Sequence, residues 1–318
     1  MTLRGYDPSD LPAIVALWNE ALSGTPNFIP LQPSDFEARV TRQPSFEPDM
    51  LLVGEDRDGL CGFVHVGLRS NLWFELAERR VDASEGHVYA IVARAGDRGA
   101  IRAMLEAGLQ RLRQLGAGRA LLSPSWIHGT QPFYNGIAGA YEMPGLSAAR
   151  QDVLEEAVAM GFRQTAEYGT PELDFARQDH VSSLLETGEQ LSRGPGRELR
   201  QSVRTVRRGF FPPRRVVVLT RRFATVATTC YALWDEYARA HGRRLFGITG
   251  VRVAPEWRGK GLGKLVMIRA MEAAAQEGAE GLHLHVYKGN AAAWNLYHRA
   301  LGFQPRATWV TLEKDVRP

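Results

Sequence analysis

The sequence predicts a mixed α/β fold built as two successive units. Three observations predict it. A β-branched strand runs into a glycine- and cation-rich turn and then a helix at residues 251–276. Strand and helix patterns then alternate as far as residue 312. A weaker version of the same order fills the first half, and each half carries a Gly-Phe pair after a helix, Gly161-Phe162 and Gly302-Phe303. The 318 residues are ample for two domains of about 150 residues each.

The chain opens with a short strand, then Asp7 or Ser9 as a helix cap before Leu11, Ile14, Val15, Leu17 and Trp18. Leu51–Val53 and Leu60–Val66 read as a hairpin around Asp58-Gly59. Val88–Ala93 reads as a strand, followed by Arg98-Gly99 and a helix to Leu115. Ala120–Leu122 is the next strand, Ala148–Met160 a helix, and Tyr168–Phe175 a closing strand. The boundary falls near Ala176, giving units 1–176 and 177–318. In the second unit Val181–Leu191 and Glu198–Val206 read as helices, split by the breaker Arg193-Gly194-Pro195-Gly196. Val216–Leu219, Phe223–Leu233 and Leu245–Val253 read as strands, and Leu265–Gln276 as a helix. Leu282–Val286 alternates like a strand, Ala291–Ala300 is helical with Gly302 ending it, and Ala307–Leu312 is a β-branched, aromatic strand.

The chemistry concentrates at V-R-V-A-P-E-W-R-G-K-G-L-G-K, residues 251–264. Gly259, Gly261 and Gly263 bare the backbone N–H groups at the start of a helix, where the dipole is positive. Arg258, Lys260 and Lys264 add full charges. The implied ligand is a phosphate or pyrophosphate. A Walker loop is excluded, because Arg258 stands six positions before Lys264 and Leu265 follows it. The dinucleotide fingerprint is excluded, because a third glycine is missing at 264 and 266. The spacing that fits is R-x-x-G-x-G, from Arg258 through Gly261 to Gly263.

Together with N-A-A-A-W-N-L-Y-H-R-A-L-G-F at 290–303, this stretch resembles the acetyl-CoA-binding half of the GNAT superfamily of N-acetyltransferases. The resemblance implies two tandem GNAT folds, similar in layout to mycothiol-synthase-like proteins. It implies that the backbone of Val251, Arg252 and Val253 pairs with pantetheine as a peptide pairs with a strand edge. It implies that Arg258, Gly259, Lys260, Gly261, Leu262, Gly263 and Lys264 hold the pyrophosphate. Asn290 would touch pantetheine and Tyr297 approach the thioester sulfur. The activity implied is transfer of an acetyl group from acetyl-CoA, as co-substrate, to an amine. On aligning Arg98-Gly99 with Arg258-Gly259, the first unit is a degenerate copy, with Ile101 and Ala103 crowding the glycine positions. The second unit is then the active one. The Gly-, Pro- and aromatic-rich stretch Ser125–Pro144 is either a packed surface loop or a cleft cover, with Trp126, Phe133, Tyr134 and Tyr141 as walls.

Composition agrees with an enzyme of the cytoplasm. Hydrophobic content of 44% and charged content of 23% are ordinary. Two distant cysteines, Cys61 and Cys230, read as buried free thiols rather than a disulfide framework. No apolar run matches the roughly 20 residues a membrane helix needs, and the N-terminal residues lack a signal core. A net charge of +4 does not argue for nucleic acid. Lysine occurs only at 260, 264, 288 and 314, so three of the four lie at the proposed cofactor site. The pairs Arg207-Arg208, Arg214-Arg215, Arg221-Arg222 and Arg243-Arg244 read as solvated surface or as a face for phosphate or acidic substrate. The sequence leaves the oligomeric state open, a monomer with its two units as a pseudo-dimer being one option.

A primary amine has a pKa of roughly 10 and must lose a proton to attack. The leaving thiolate needs an acid, and Tyr297 is the expected donor. Base candidates are Glu236, His241, His283 and His285, with Glu236 and His285 foremost. His283 and His285 share one strand face at period 2, and no third residue is spaced to make them a metal site. Backbone N–H groups near Val251 are placed to meet the oxyanion. The acceptor is expected to be a small-molecule amine. A protein amine, or a role as a non-catalytic acyl-CoA sensor, are the alternatives.

Overall fold

The computed structural model describes residues 1–43, 45–69, 82–123, 133–142, 144–206 and 213–317. Trp126 and Arg207-Arg208 lie outside the described residues. The chain forms two compact units, Met1–Tyr168 with Ala307–Pro318, and Gly169–Arg306. Both are discontinuous or offset relative to a simple halving, because two long strands each change unit along their length.

The first unit contains β1 (Thr2–Gly5), α1 (Leu11–Leu22), α2 (Pro33–Phe36), β2 (Leu51–Asp56), β3 (Gly59–Arg69), β4 (Asp82–Ala93), α3 (Arg98–Gln114), β5 (Arg119–Leu122), β6 (Leu146–Ser147) and α4 (Gln151–Ala159). The start of β7 (Arg163–Asp174) belongs to it as well. Asp7 caps the opening turn by accepting from the Ser9 amide. The β2–β3 link is Arg57-Asp58, one residue earlier than the sequence indicates, because Asp56 pairs with Gly59. Gly59 sits at φ 104°, which a side chain would resist. Val64, Val66, Ile101, Met104, Leu105 and Leu312 are among the residues of one buried cluster. A second group is aromatic. Trp18 stacks on Tyr134 at 5.4 Å, and His65 bonds the Tyr134 hydroxyl at 3.0 Å. Phe133, Tyr134 and Tyr141 are therefore buried packing residues of this unit rather than walls of an open cleft.

The second unit adds α5 (Gln178–Arg193), β8 (Arg200–Val206), β9 (Arg214–Arg221), β10 (Ala224–Leu233), α6 (Asp235–His241), β11 (Leu245–Val253), α7 (Leu262–Gln276), β12 (Gly281–Leu284), β13 (Val286–Tyr287), α8 (Ala291–Asn295) and the first residues of β14 (Gln304–Asp315). Its strand order is β7-β12-β11-β10-β9-β8, with β11 and β12 parallel. The segment 198–206, expected as a helix, is mostly the strand β8. It pairs antiparallel with β9, from Arg200↔Thr220 to Val206↔Arg214. Its β-branched Val203, Thr205 and Val206 suit a pleated surface, and the available partner strand decides the outcome. The expected strand 282–286 is interrupted at His285.

The core of this unit lies under α7. Val266, Ile268 and Ala270 are completely buried and join Phe246, Ile248 and Leu282. Burying one such large apolar side chain contributes about 1.5–3 kcal/mol. α5 crosses α7 closely at Gly188, where an added Cβ would meet Ile268 Cγ2 at 2.7 Å.

Candidate active site

Strand β11 is the floor of the site. Its ladder to β12 runs from Leu245↔Gly281 to Ile248↔Leu284 and stops there. Residues 249–253 continue without a β12 partner, held on their other side by β10 through Thr228↔Arg252 and Ala227↔Val253. The two parallel strands therefore part, and one edge of β11 is left for another extended chain. Between Thr228↔Arg252 and Cys230↔Thr249 the register shifts, with one extra residue on β11. Gly250 takes φ 64° in this bulge. Val251 and Val253 rest partly buried on the core, and Arg252 is exposed.

Pro255 ends the strand, and a short turn through Trp257 leads to the glycine loop. Gly259 and Gly261 both adopt left-handed backbone, φ 74° and 76°. Gly261 is the N-cap of α7, and no side chain caps that helix. Among the described residues, no acceptor takes a hydrogen bond from the amides of 259–264. Six successive donors at a helix start fit a pyrophosphate. Arg258 Nε donates to the Val253 carbonyl at 3.3 Å, and Lys260 Nζ to the Glu256 carbonyl at 3.1 Å. Both cations are thus held beside the amides. Gly263 plays a different part: a Cβ there would make ordinary contacts with Leu296 Cδ2 at 3.5 Å and Val253 Cγ2 at 3.7 Å. It marks where the start of α7, the end of β11 and the turn before Tyr297 converge.

Tyr297 lies in a single π-helical turn, Leu296–Ala300, that follows α8. Its side chain is mostly buried, 5.9 Å from the Phe303 ring. Burial pushes its phenol up to about 12, so it carries its proton at neutral pH. Among the described residues its hydroxyl has no hydrogen-bond partner. Asn290 is exposed and caps α8, its Oδ1 accepting from the Ala293 amide at 3.1 Å. That bond uses the amide oxygen and leaves the side-chain N–H groups for other partners.

The base candidates lie among buried groups. Glu236 is buried on α6. His283 is fully buried, its ring tilted against Trp234 at 4.9 Å. Its Nε2 meets His285 Nε2 at 3.2 Å, and His285 Nδ1 meets Thr170 Oγ1 at 2.8 Å. Burial pushes His283 down to about 3 and His285 well below the ordinary range, so both rings are neutral. Among the described residues the Nδ1 of His283 is buried without a partner. A buried lone pair without a donor costs less than a buried N–H without an acceptor. His283 then donates from Nε2, and His285 donates from Nδ1 to Thr170. Both nitrogens of His285 are engaged in that arrangement, which weakens it as a base. The His241 ring lies tilted against Tyr237 at 4.3 Å. Among the described residues no group of three or more metal-ligating side chains is present.

The arginine pairs are mostly structural. Arg243 bonds Glu172 at 2.7 Å, Arg215 bonds Glu277 at 2.9 Å, and Arg244 donates to the Gly278 and Glu277 carbonyls. Cys61 is buried as expected, whereas Cys230 is only partly so, and both are free thiols.

The corresponding loop of the first unit is built differently. α3 already starts at Arg98, with Asp97 as its N-cap accepting from the Ala100 amide at 2.8 Å. Arg98 is paired with Glu155 and Glu156, and Arg102 with Glu156. A carboxylate thus holds the helix start that α7 leaves open. Ile101, expected to crowd an anion, is instead completely buried in the core. Sequence reading missed Gly250 and Asp97. Gly250 stands inside a β-branched run, which is itself a bulge signal. Asp97 is a standard cap residue one position before the Arg-Gly pair.

Residues 195–303 match the model of the acetyltransferase (GNAT) family. No curated protein matches the chain. Solved structures do. A tandem GNAT protein from the clavulanic acid biosynthesis pathway is 14% identical, with a TM-score of 0.68, covering 100% of this chain and 99% of that one. A GCN5-related N-acetyltransferase from Sphaerobacter thermophilus is 12% identical, TM-score 0.61, covering 100% and 96%. The GCN5-related glucosamine N-acetyltransferase region of a fungal multi-domain GH3 β-N-acetylglucosaminidase is 16% identical, TM-score 0.63, covering 98% of this chain but 38% of that one. These likenesses are of fold: a mixed α/β chain in the tandem GNAT arrangement. No helix among the described residues is long and apolar enough to cross a membrane.

Proposed function

Taking the chain as a tandem member of the GNAT acetyltransferase superfamily, we propose that its second unit moves an acetyl group from acetyl-CoA to a primary amine of a small molecule. The observation that carries this reading is the open start of α7: six amides that find no acceptor among the described residues, flanked by Arg258, Lys260 and Lys264, beside the stretch 249–253 of β11 that β12 does not pair. The first unit is assigned no turnover, because Asp97 already accepts from the Ala100 amide at the start of α3 and Arg98 is taken up by Glu155 and Glu156.

The residues divide the work as follows. The amides of 259–264 hold the pyrophosphate, and the 249–253 edge aligns pantetheine. The acceptor nitrogen attacks the thioester carbonyl, a C–N bond forms and the C–S bond breaks. Tyr297, protonated well past neutral pH, gives its proton to the leaving thiolate. An N–H at the Gly250–Val251 bulge meets the oxyanion. Glu236, buried on α6, is assigned to take the ammonium proton.

The test is acetyl-CoA turnover with a panel of amino acids, aminosugars, polyamines and lysine peptides. Product is read by mass and by released thiol. Acetylation of a small amine at rates above those of the peptides is expected. Preference for peptides would replace the small-molecule reading. Binding without turnover on any amine would leave a sensor.

A further inference from the structure

The hairpin joining β9 to β10 carries a feature that the acetyl-transfer reading does not use. Its two-residue turn is Arg222-Phe223, between paired Arg221 and Ala224. Phe223 is 104% exposed, the most exposed large apolar side chain described. Arg222 beside it is exposed and has no ion-pair or hydrogen-bond partner among the described residues. Arg221 lies over the Trp257 ring at 5.3 Å and is anchored by Glu198. Lys260 lies over the same ring at 4.8 Å. The hairpin tip is therefore tied, through Trp257, to the glycine loop. The backbone agrees, since the Ala254 amide donates to Val226 at 2.8 Å, so the tip extends alongside residues 255–257.

Around this tip the charge is lopsided. Arg221, Arg222, Arg258 and Lys260 face the acids Glu198 and Glu256, and Glu198 is already spent on Arg221. The Trp257 ring is occupied by two cations, so Phe223 is the aromatic surface left open. A flat apolar ring beside unpaired cations suits a purine carrying a phosphate. Coenzyme A presents such a group beyond its pyrophosphate: an adenine on a 3′-phosphorylated ribose.

We propose that the Arg222-Phe223 turn is the docking point for the 3′-phosphoadenosine end of acetyl-CoA, with Phe223 stacking the base and Arg222 contacting the 3′-phosphate. This rests on the glycine loop holding the pyrophosphate. It adds that affinity is set partly outside that loop, on a different hairpin.

Calorimetric titration of the full chain with acetyl-CoA and with its 3′-dephospho form tests it. Variants are Phe223→Ala and Arg222→Asn, asparagine being chosen because it tolerates the φ of 55° at that position. Phe223→Ala should weaken both ligands alike, by about 5- to 150-fold, the range for loss of one base–aromatic stack. Arg222→Asn should weaken acetyl-CoA alone and shrink the gap between the two ligands. Sedimentation velocity runs beside it. Affinities within twofold of the parent in both variants would overturn the proposal, as would a change of oligomeric mass in Phe223→Ala without a change of affinity, which marks a contact between copies. Failure of the parent chain to bind either ligand would instead remove the acetyl-CoA reading itself, and this proposal with it.

Discussion

Replacing Gly261 and Gly263 by alanine, one at a time, should have opposite consequences, although the two glycines are one residue apart in the same motif. Gly261 holds φ 76°, and a Cβ there would come within 2.8 Å of Leu191 Cδ2. The left-handed backbone alone costs an L-residue about 1–2 kcal/mol. The leucine methyl is a mobile side-chain end and can give way, so the fold should survive with about that loss. If the backbone relaxes instead, the amides at 261–263 turn away from the anion. Each charge-assisted hydrogen bond lost is worth about 1.5–3 kcal/mol, or about 10- to 150-fold in affinity. Gly263 is inside the first turn of α7, and its Cβ would face Leu296 and Val253 at ordinary contact distances, away from the loop. Alanine there should stabilise by about 0.5–1 kcal/mol through reduced chain entropy. Urea unfolding gives the stabilities, and calorimetry with acetyl-CoA the affinities. The reasoning is refuted if Gly261→Ala binds as the parent does, or if Gly263→Ala loses affinity as Gly261→Ala does.

Tyr297→Phe should lower turnover by about 100- to 10,000-fold, the usual range for loss of a general acid, while the dissociation constant of acetyl-CoA stays within twofold. In the parent, no alkaline limb from this phenol should appear below about pH 10, since burial holds it at about 12; a limb that Tyr297→Phe removes near pH 8 would contradict that. Asn290→Asp keeps an acceptor for the Ala293 amide, so stability should hold within about 0.5 kcal/mol. Its lost N–H donors should weaken acetyl-CoA binding, and unchanged affinity would confine Asn290 to capping. His283 is held at about 3 in the fold, so the unfolded chain alone takes up a proton as pH falls below about 6.5. Its contribution is present at neutral pH and lost on acidification, by about 2 kcal/mol between pH 7 and pH 5. His283→Asn should remove that share of the acid loss, and an unaltered pH dependence of urea unfolding would show that the ring titrates in the native state.

The parts of the site readable from sequence are those where backbone conformation demands a residue type. Gly259 and Gly261 are visible because their φ values exclude side chains. Strand β11 is visible because of its β-branched run, which Pro255 ends. β8 misled because R-Q-S-V-R-T-V is compatible with either period, and only β9 decides it. The degeneracy expected of the first unit rested on Ile101 and Ala103 at the glycine positions; the Asp97 cap, which accepts from the Ala100 amide, is a further local difference that this alignment did not weigh. The buried aromatic group of Trp18, His65 and Tyr134 joins residues far apart in the chain, and no local pattern announces it. The hydrogen bonds of His283 and His285 depend on Thr170 from another strand and were equally invisible.

The central claim is that one unit holds acetyl-CoA and the other has closed its helix start with its own carboxylate. Calorimetric titration of the intact chain with acetyl-CoA tests it most directly. The account predicts one site per chain, retained in Asp97→Ala and abolished by Gly261→Leu with the fold preserved. Two sites, or a single site that survives Gly261→Leu and disappears with changes around Asp97, would contradict it.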